Sequence, residues 1–269
     1  ALGGDWDLEY VTGNVETLSL KIETYGFLFE VIDGDDTDEV LYGTGNDDQI
    51  NSKGGNDTVW ARGGNDNVWG GAGNDILWGE AGDDTLSGQA GDDRIHGGSG
   101  HDGLYGDTGD DYFEGGDGDD IIGGFAGSDT IYGQAGDDDI SGGIEGDFLY
   151  GGSGSDSIWG DAGHDVLEGF TGNDTLKGGL GDDLLDGGAG NDDLYGGSGS
   201  DSFFFSGDWG DDTVDGGTGY DILDLSSVTS DLTVHATPNS QRVSISDTSG
   251  NTIEAWGIEE VKAGSGDDF

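Results

Sequence analysis

Large apolar residues recur every nine positions along most of this chain. They stand at Val59, Val68, Leu77, Leu86, Ile95, Leu104, Phe113, Ile122, Ile131, Ile140, Leu149, Ile158, Leu167, Leu176, Leu185, Leu194 and Phe203. An Asp lies two residues before each of them. These are Asp57, Asp66, Asp75, Asp84, Asp93, Asp102, Asp111, Asp120, Asp129, Asp138, Asp147, Asp156, Asp165, Asp174, Asp183, Asp192 and Asp201. Gly stands two residues before the Asp in every repeat but one (Glu145). It also stands five before in every repeat but two (Ser52, Ala61). The first six residues of each nonapeptide are rich in Gly, Asp and Asn, which tolerate positive φ and build turns. The last three read x-apolar-x, a very short strand with one side chain inward. Such a strand cannot bury itself, but stacked copies can, so the pattern predicts a solenoid. Strand–turn–strand–turn takes two repeats per coil, which puts residues 18 apart above one another.

The period breaks at both ends. Upstream, Asp38 and Asp47 are nine apart, but Asp47 to Asp57 is ten, so the spacing predicts one inserted residue near Gln49–Asn51. Downstream, Asp201 to Asp212 is eleven, and Asp221 returns to nine. Leu18, Leu20, Ile22, Phe27, Phe29 and Val31 alternate as strands do. Residues 229–262 predict three more strands, Leu232–Ala236, Arg242–Ser246 and Thr252–Trp256, with a turn at Asp247–Asn251. The expected organisation is a β cap over 1–32, a roll over 33–225 and a second β cap over 226–269. The last segment ends in a truncated repeat with Asp268 at its sixth position. That truncation, with the lack of an initiator Met, leads us to expect a piece of a longer protein.

Charge changes the picture. The 269 residues include 59 Asp and Glu against 7 Lys and Arg, a formal net charge of −52, with 60 Gly and no Cys. Phosphate polymers would be repelled, so nucleic acid is excluded as a partner. No apolar run reaches the ~20 residues of a membrane helix. Stacking places the Asp residues in two rows. At a strand spacing of about 4.8 Å each pair repels by roughly 3.5 kcal/mol at an effective dielectric of ~20. A cation between successive carboxylates removes that repulsion. Calcium–oxygen distances of about 2.3–2.6 Å, one above and one below, span the strand spacing better than those of magnesium.

GGAGNDILW (70–78), GGSGSDSIW (151–159) and GGAGNDDLY (187–195) resemble the RTX family (repeats-in-toxin), the hemolysin-type calcium-binding nonapeptide GGxGxDxUx with U a large apolar residue. The likeness is tight over 52–204 and looser over 33–225. It implies an all-β fold, a right-handed parallel β-roll. It implies multiple Ca²⁺ ions, on the order of 10–15, on carboxylates of the seventeen Asp above and of Asp38, Asp47, Asp212 and Asp221. It further implies backbone carbonyl ligands two and four residues before each Asp. These are Gly55, Arg62, Gly64, Gly71, Gly73, Glu80, Gly82, Gln89, Gly91, Gly98, Gly100, Asp107, Gly109, Gly116, Gly118, Phe125, Gly127, Gln134, Gly136, Gly143, Gly152, Gly154, Asp161, Gly163, Phe170, Gly172, Gly179, Gly181, Gly188, Gly190, Gly197 and Gly199. The second position departs from Gly in nine of the seventeen repeats, and Glu145 departs at the fourth. The resemblance implies a secreted or cell-surface bacterial protein, of the kind exported by type I secretion, in which this part is a non-catalytic module that folds on calcium.

No catalytic motif is present: HExxH, GxSxG and the P-loop are all missing, and the four His form no cluster along the chain, which reads them as solvent-facing. One feature lies outside the calcium pattern. The outward positions of one sheet are apolar in 10 of 18 cases, against 5 of 16 on the other. Trp60, Trp78, Tyr112, Tyr132, Phe148 and Tyr150 are therefore a candidate docking face for a polysaccharide or another domain of the same protein. Alternative readings are an adhesin or glycan-binding module, or the accessory part of an RTX enzyme.

Overall fold

A computed structural model describes residues 30–207, 209–237 and 242–264. The expected strands at Leu18–Ile22 and Phe27–Phe29, and Asp268, lie outside the described residues. Among the described residues every regular element is a β-strand. The chain divides into two compact units, Ala1–Ala126 and Gly127–Phe269.

Each unit is a parallel β-solenoid with two nonapeptides per coil. In the first, Val59 pairs with Leu77 and Leu77 with Ile95 in one sheet, while Ile50 pairs with Val68 and Val68 with Leu86 in the other. In the second, Ile131, Leu149, Leu167 and Leu185 form one such line and Ile140, Ile158, Leu176 and Leu194 the other. These single inward residues make the core, and from Val59 to Phe203 none is more than 1% exposed. A core one side chain wide is stable only because neighbouring coils cover it from both sides.

Most strands are longer than the pattern predicts. They run six residues, as in Ile76–Ala81 and Thr85–Ala90, so the turn shrinks to the fourth to sixth positions. In these strands the ladder continues through the first three residues of the next repeat even though the second has positive φ. There Lys53, Arg62, Glu80, Gln89, Asp107, Phe125, Gln134, Asp161 and Phe170 hold φ between 67° and 84°. Gly at the same position opens to between 92° and 123°. Side chains at this position therefore retreat to the left-handed region proper, where a Cβ is tolerated at modest cost.

The N-terminal end corrects the expected register. Ile32 pairs with Ile50 and Leu41 with Val59, so the offset of 18 holds and no residue is inserted near Gln49–Asn51. At the other end the extra residues do appear. Asp192 and Asp201 meet Asp212 and Asp221 at an offset of 20. The intervening loop buries Phe205 and Trp209, whose rings meet edge to face at 6.4 Å. The three expected C-terminal strands form as Leu232–Thr237, Arg242–Asp247 and Thr252–Trp256. The last joins Asp211–Thr218 in parallel, Arg242–Asp247 adds antiparallel to it, and Leu232–Thr237 adds antiparallel to Arg242–Asp247. Asp247 Oδ1 closes the expected turn by accepting from the amides of Ser249, Gly250 and Asn251 at 2.9, 2.9 and 3.0 Å.

Candidate metal centre

The sixth residue of the nonapeptide turns its side chain inward. The Asp at this position in every repeat from Asp57 to Asp201, with Asp212 and Asp221, is at most 3% exposed. The reason is local. Gly at the first position has no Cβ, and one added to Gly70 would collide with Asp75 Oδ2, as one on Gly88 would with Asp93 Oδ2. The missing side chain is the space the carboxylate fills.

Within each unit the two carboxylate oxygens have different fates. Oδ1 accepts the amide of the matching Asp one coil earlier. Asp57 N–H donates to Asp75 and Asp75 N–H to Asp93, at 2.8 and 2.7 Å. In the second unit Asp147 N–H donates to Asp165 and Asp156 N–H to Asp174, at 2.9 and 2.8 Å. Among the described residues, Oδ2 is buried and has no hydrogen-bond partner in any of these 19 Asp. A buried carboxylate oxygen without a partner is costly, and a hard cation is the partner its chemistry calls for.

Electrostatics agree. Burial, the largest cause, pushes Asp93 and Asp212 up to about 8 and Asp66, Asp120, Asp147 and Asp174 up to about 7. The amide bond to Oδ1 offsets part of this, and neighbouring carboxylates add to it. Among the described residues no three His, Cys, Asp or Glu side chains converge as a metal cluster. The carboxylates arrive in single file, so further oxygen ligands would have to come from the backbone. The carbonyls of Gly55, Gly64, Gly73 and Gly82 receive none of the hydrogen bonds that link the turns, whereas Lys53 O accepts Ala72 N–H at 2.8 Å. Glu145 does not disturb its row. Asp147 Oδ1 accepts Asp129 N–H at 2.8 Å and its Oδ2 is orphaned like the rest.

Two sequence-derived sites move. Asp38 and Asp47 lie outside these rows. Their Oδ1 atoms accept the amides of Asn56 and Asn65, at 2.8 Å each, in the outer line formed by the fifth residue of each repeat. The inward positions belong to Glu39 and Asp48, whose amides donate to Asp57 Oδ1 and Asp66 Oδ1 at 2.8 and 2.7 Å. Asp48 Oδ2 is not orphaned, because it accepts Thr44 N–H at 2.6 Å and Thr44 Oγ1–H at 3.0 Å. Lys53 Nζ donates to Gly34 O at 2.6 Å and Arg62 Nη1 to Gly43 O at 3.0 Å. The first turn of each line is thus already supplied with a cation. At the far end Glu259 Oε2 accepts Asp221 N–H at 2.9 Å.

The aromatic face resolves into stacked rings. In the first unit Trp60 lies on Trp78 at 5.1 Å and 4°, and Trp78 lies on His96 at 3.7 Å and 8°. Tyr112 tilts against His96 at 6.2 Å. In the second, Tyr132 stacks on Tyr150 at 4.7 Å, while Phe148 is exposed. His96 is no solvent-facing residue: its side chain is 13% exposed, with Nδ1 3.1 Å from Glu114 Oε2.

Buried Asp rows facing oxygen-rich turns in a parallel β-roll define a calcium-binding repeat protein. The family model for the RTX calcium-binding nonapeptide repeat (4 copies) matches residues 33–68, 69–104, 96–131, 105–140, 124–149, 141–169, 168–203 and 204–224. The chain belongs to this family, whose repeats bind Ca²⁺ at multiple sites. A search of curated proteins returns no match.

Proposed function

We propose that the chain is a calcium-dependent folding module. Calcium would sit between successive coils against Asp57, Asp66 and every ninth residue to Asp201, then Asp212 and Asp221. Carbonyls of the second and fourth positions would complete the shell. The ion supplies positive charge and accepts several oxygen ligands at once. The chain's own residues do the rest. Gly at the first position makes room for the carboxylate, the inter-coil amide bond to Oδ1 aims it, and the apolar residue two positions on locks the strand. The observation that carries this reading is the set of 19 buried Oδ2 atoms without partners.

Metal binding is then folding energy. The module would stay unfolded where calcium is scarce, inside the cell, and fold outside it, a reading that suits a secreted protein. In this reading residues 226–269 cap the last coil, and the repeats carry no catalytic role. Far-UV circular dichroism and calorimetric calcium titration test it. Metal-free chain should be largely unstructured and should gain β-structure cooperatively with calcium. A fully folded chain in excess chelator would overturn it.

A further inference from the structure

The outer face of one sheet in the second unit carries a column of residues in register, one per strand. They are Trp159, Lys177, Tyr195, Asp215 and Trp256. Lys177 Nζ lies 5.6 Å from the Trp159 ring and 5.9 Å from the Tyr195 ring. The column thus already holds one cation between two aromatic flanks. On its far side Arg242 lies over Trp256 at 5.4 Å, fixed there by Glu254 Oε2 at 2.7 Å from Nε and 2.6 Å from Nη2.

The interval between Tyr195 and Trp256 breaks the alternation. It spans two strand spacings, roughly 9.6 Å, as does the interval that Lys177 fills. Its central residue is Asp215 instead of a cation. A cleft of about 560 Å³ opens there, lined by Asp193, Tyr195, Thr213, Val214, Asp215 and Trp256. Tyr195 is 40% and Trp256 37% exposed. Thr213 Oγ1–H donates to Asp193 Oδ1, whereas the Asp215 carboxylate makes no hydrogen bond or ion pair among the described residues.

We propose that this cleft binds an organic cation, an ammonium or guanidinium group seated between Tyr195 and Trp256 with Asp215 as its counter-ion. Aromatic faces attract a cation through the ring quadrupole, most strongly for Trp, and weakly hydrated organic cations suit them best. An anion would meet two carboxylates. A calcium ion would find two carboxylates and two hydrocarbon walls where it needs six or more oxygens. Lys177 shows that the same surface accepts this chemistry one interval away.

Calorimetry on the calcium-saturated chain tests the proposal. The probes are choline, Nα-acetyl-lysine amide and 3,3-dimethylbutan-1-ol, the neutral isostere of choline. Both cations should bind, and the alcohol should bind at least about tenfold more weakly. Preference between the two cations tells a free quaternary amine from a peptide lysine. Asp215→Asn and Trp256→Leu should each weaken binding about tenfold. Asp215→Lys should place a cation in the cleft, abolish binding and leave calcium-dependent folding intact. The proposal fails if the alcohol binds as well as choline, if Asp215→Asn and Trp256→Leu change nothing, or if raising calcium displaces the organic cation.

Discussion

The Asp75 amide donates to Asp93 Oδ1 at 2.7 Å, while Asp93 Oδ2 is buried with no partner. One oxygen of the carboxylate serves the backbone of the coil before it, and the other is left for something the chain does not supply. An amide side chain could do the first job and not the second. Asp93→Asn should therefore act in opposite directions in two buffers. With calcium it should destabilise the fold by about 2 kcal/mol, because a charged ligand is lost. Without calcium it should make the chain more structured than the parent, because a buried charge is gone. Paired thermal melts with and without chelator check this, and a loss in both buffers would contradict it.

Proton binding should partly replace calcium. Folding raises the Asp93 and Asp212 pKa to about 8, and that of Asp75 and Asp84 to about 6, mainly through burial. The unfolded value is about 3.9. The folded chain therefore binds more protons, and its proton-linked stability is fully present below about pH 4 and lost as pH rises through 6 to 8. Metal-free protein should gain β-structure on acidification and lose it on return to about pH 8. A metal-free spectrum that is flat across this range would rule the linkage out.

The second and fourth positions of the turn should differ sharply in tolerance. Gly91, at the fourth, has φ of 130°, and a Cβ there would collide with the Gly73 carbonyl. Gly91→Ala should cost about 3 kcal/mol, read from the calcium-loaded melting midpoint. Gln89, at the second, already holds φ of 78° with a side chain. Gln89→Gly should change stability by no more than about 1 kcal/mol.

The stacked rings should act as inter-coil braces. Trp78 lies between Trp60 and His96, and each ring face turned to a neighbouring coil is covered. Trp78→Ala should lower stability by about 2 kcal/mol in calcium. Binding to polysaccharide arrays should not change, since a sugar ring needs an uncovered aromatic face. Lost glycan binding at unchanged stability would instead support the docking reading.

Much of this molecule was legible from spacing. An Asp two residues before each apolar residue, and Gly two and five before the Asp, dictate a coil in which the same side chains meet every 18 residues. The core, the parallel sheets and the rows from Asp57 to Asp221 follow from that repetition. At the N-terminal end, counting Asp residues misled. Asp38 and Asp47 keep the nine-residue beat with each other but not with Asp57. Ile32, Leu41 and Ile50 keep it with Val59. Burial of an apolar side chain sets strand register, and the carboxylates take whatever positions follow, so Glu39 and Asp48 turn inward.

Other relationships depended on the folded chain. A periodic string places aromatic residues on a face, but only the side-chain geometry makes Trp60, Trp78 and His96 cover one another. The cleft between Tyr195 and Trp256 joins residues that lie, along the chain, on either side of the antiparallel pair Leu232–Thr237 and Arg242–Asp247, where the repeat gives no rule for what pairs with what. The sequence by itself determined the repeating unit, because each nonapeptide meets near-identical neighbours and local preference propagates without contradiction. Tertiary structure decided the ends and the outer surface, because there the neighbours are no longer copies of one another.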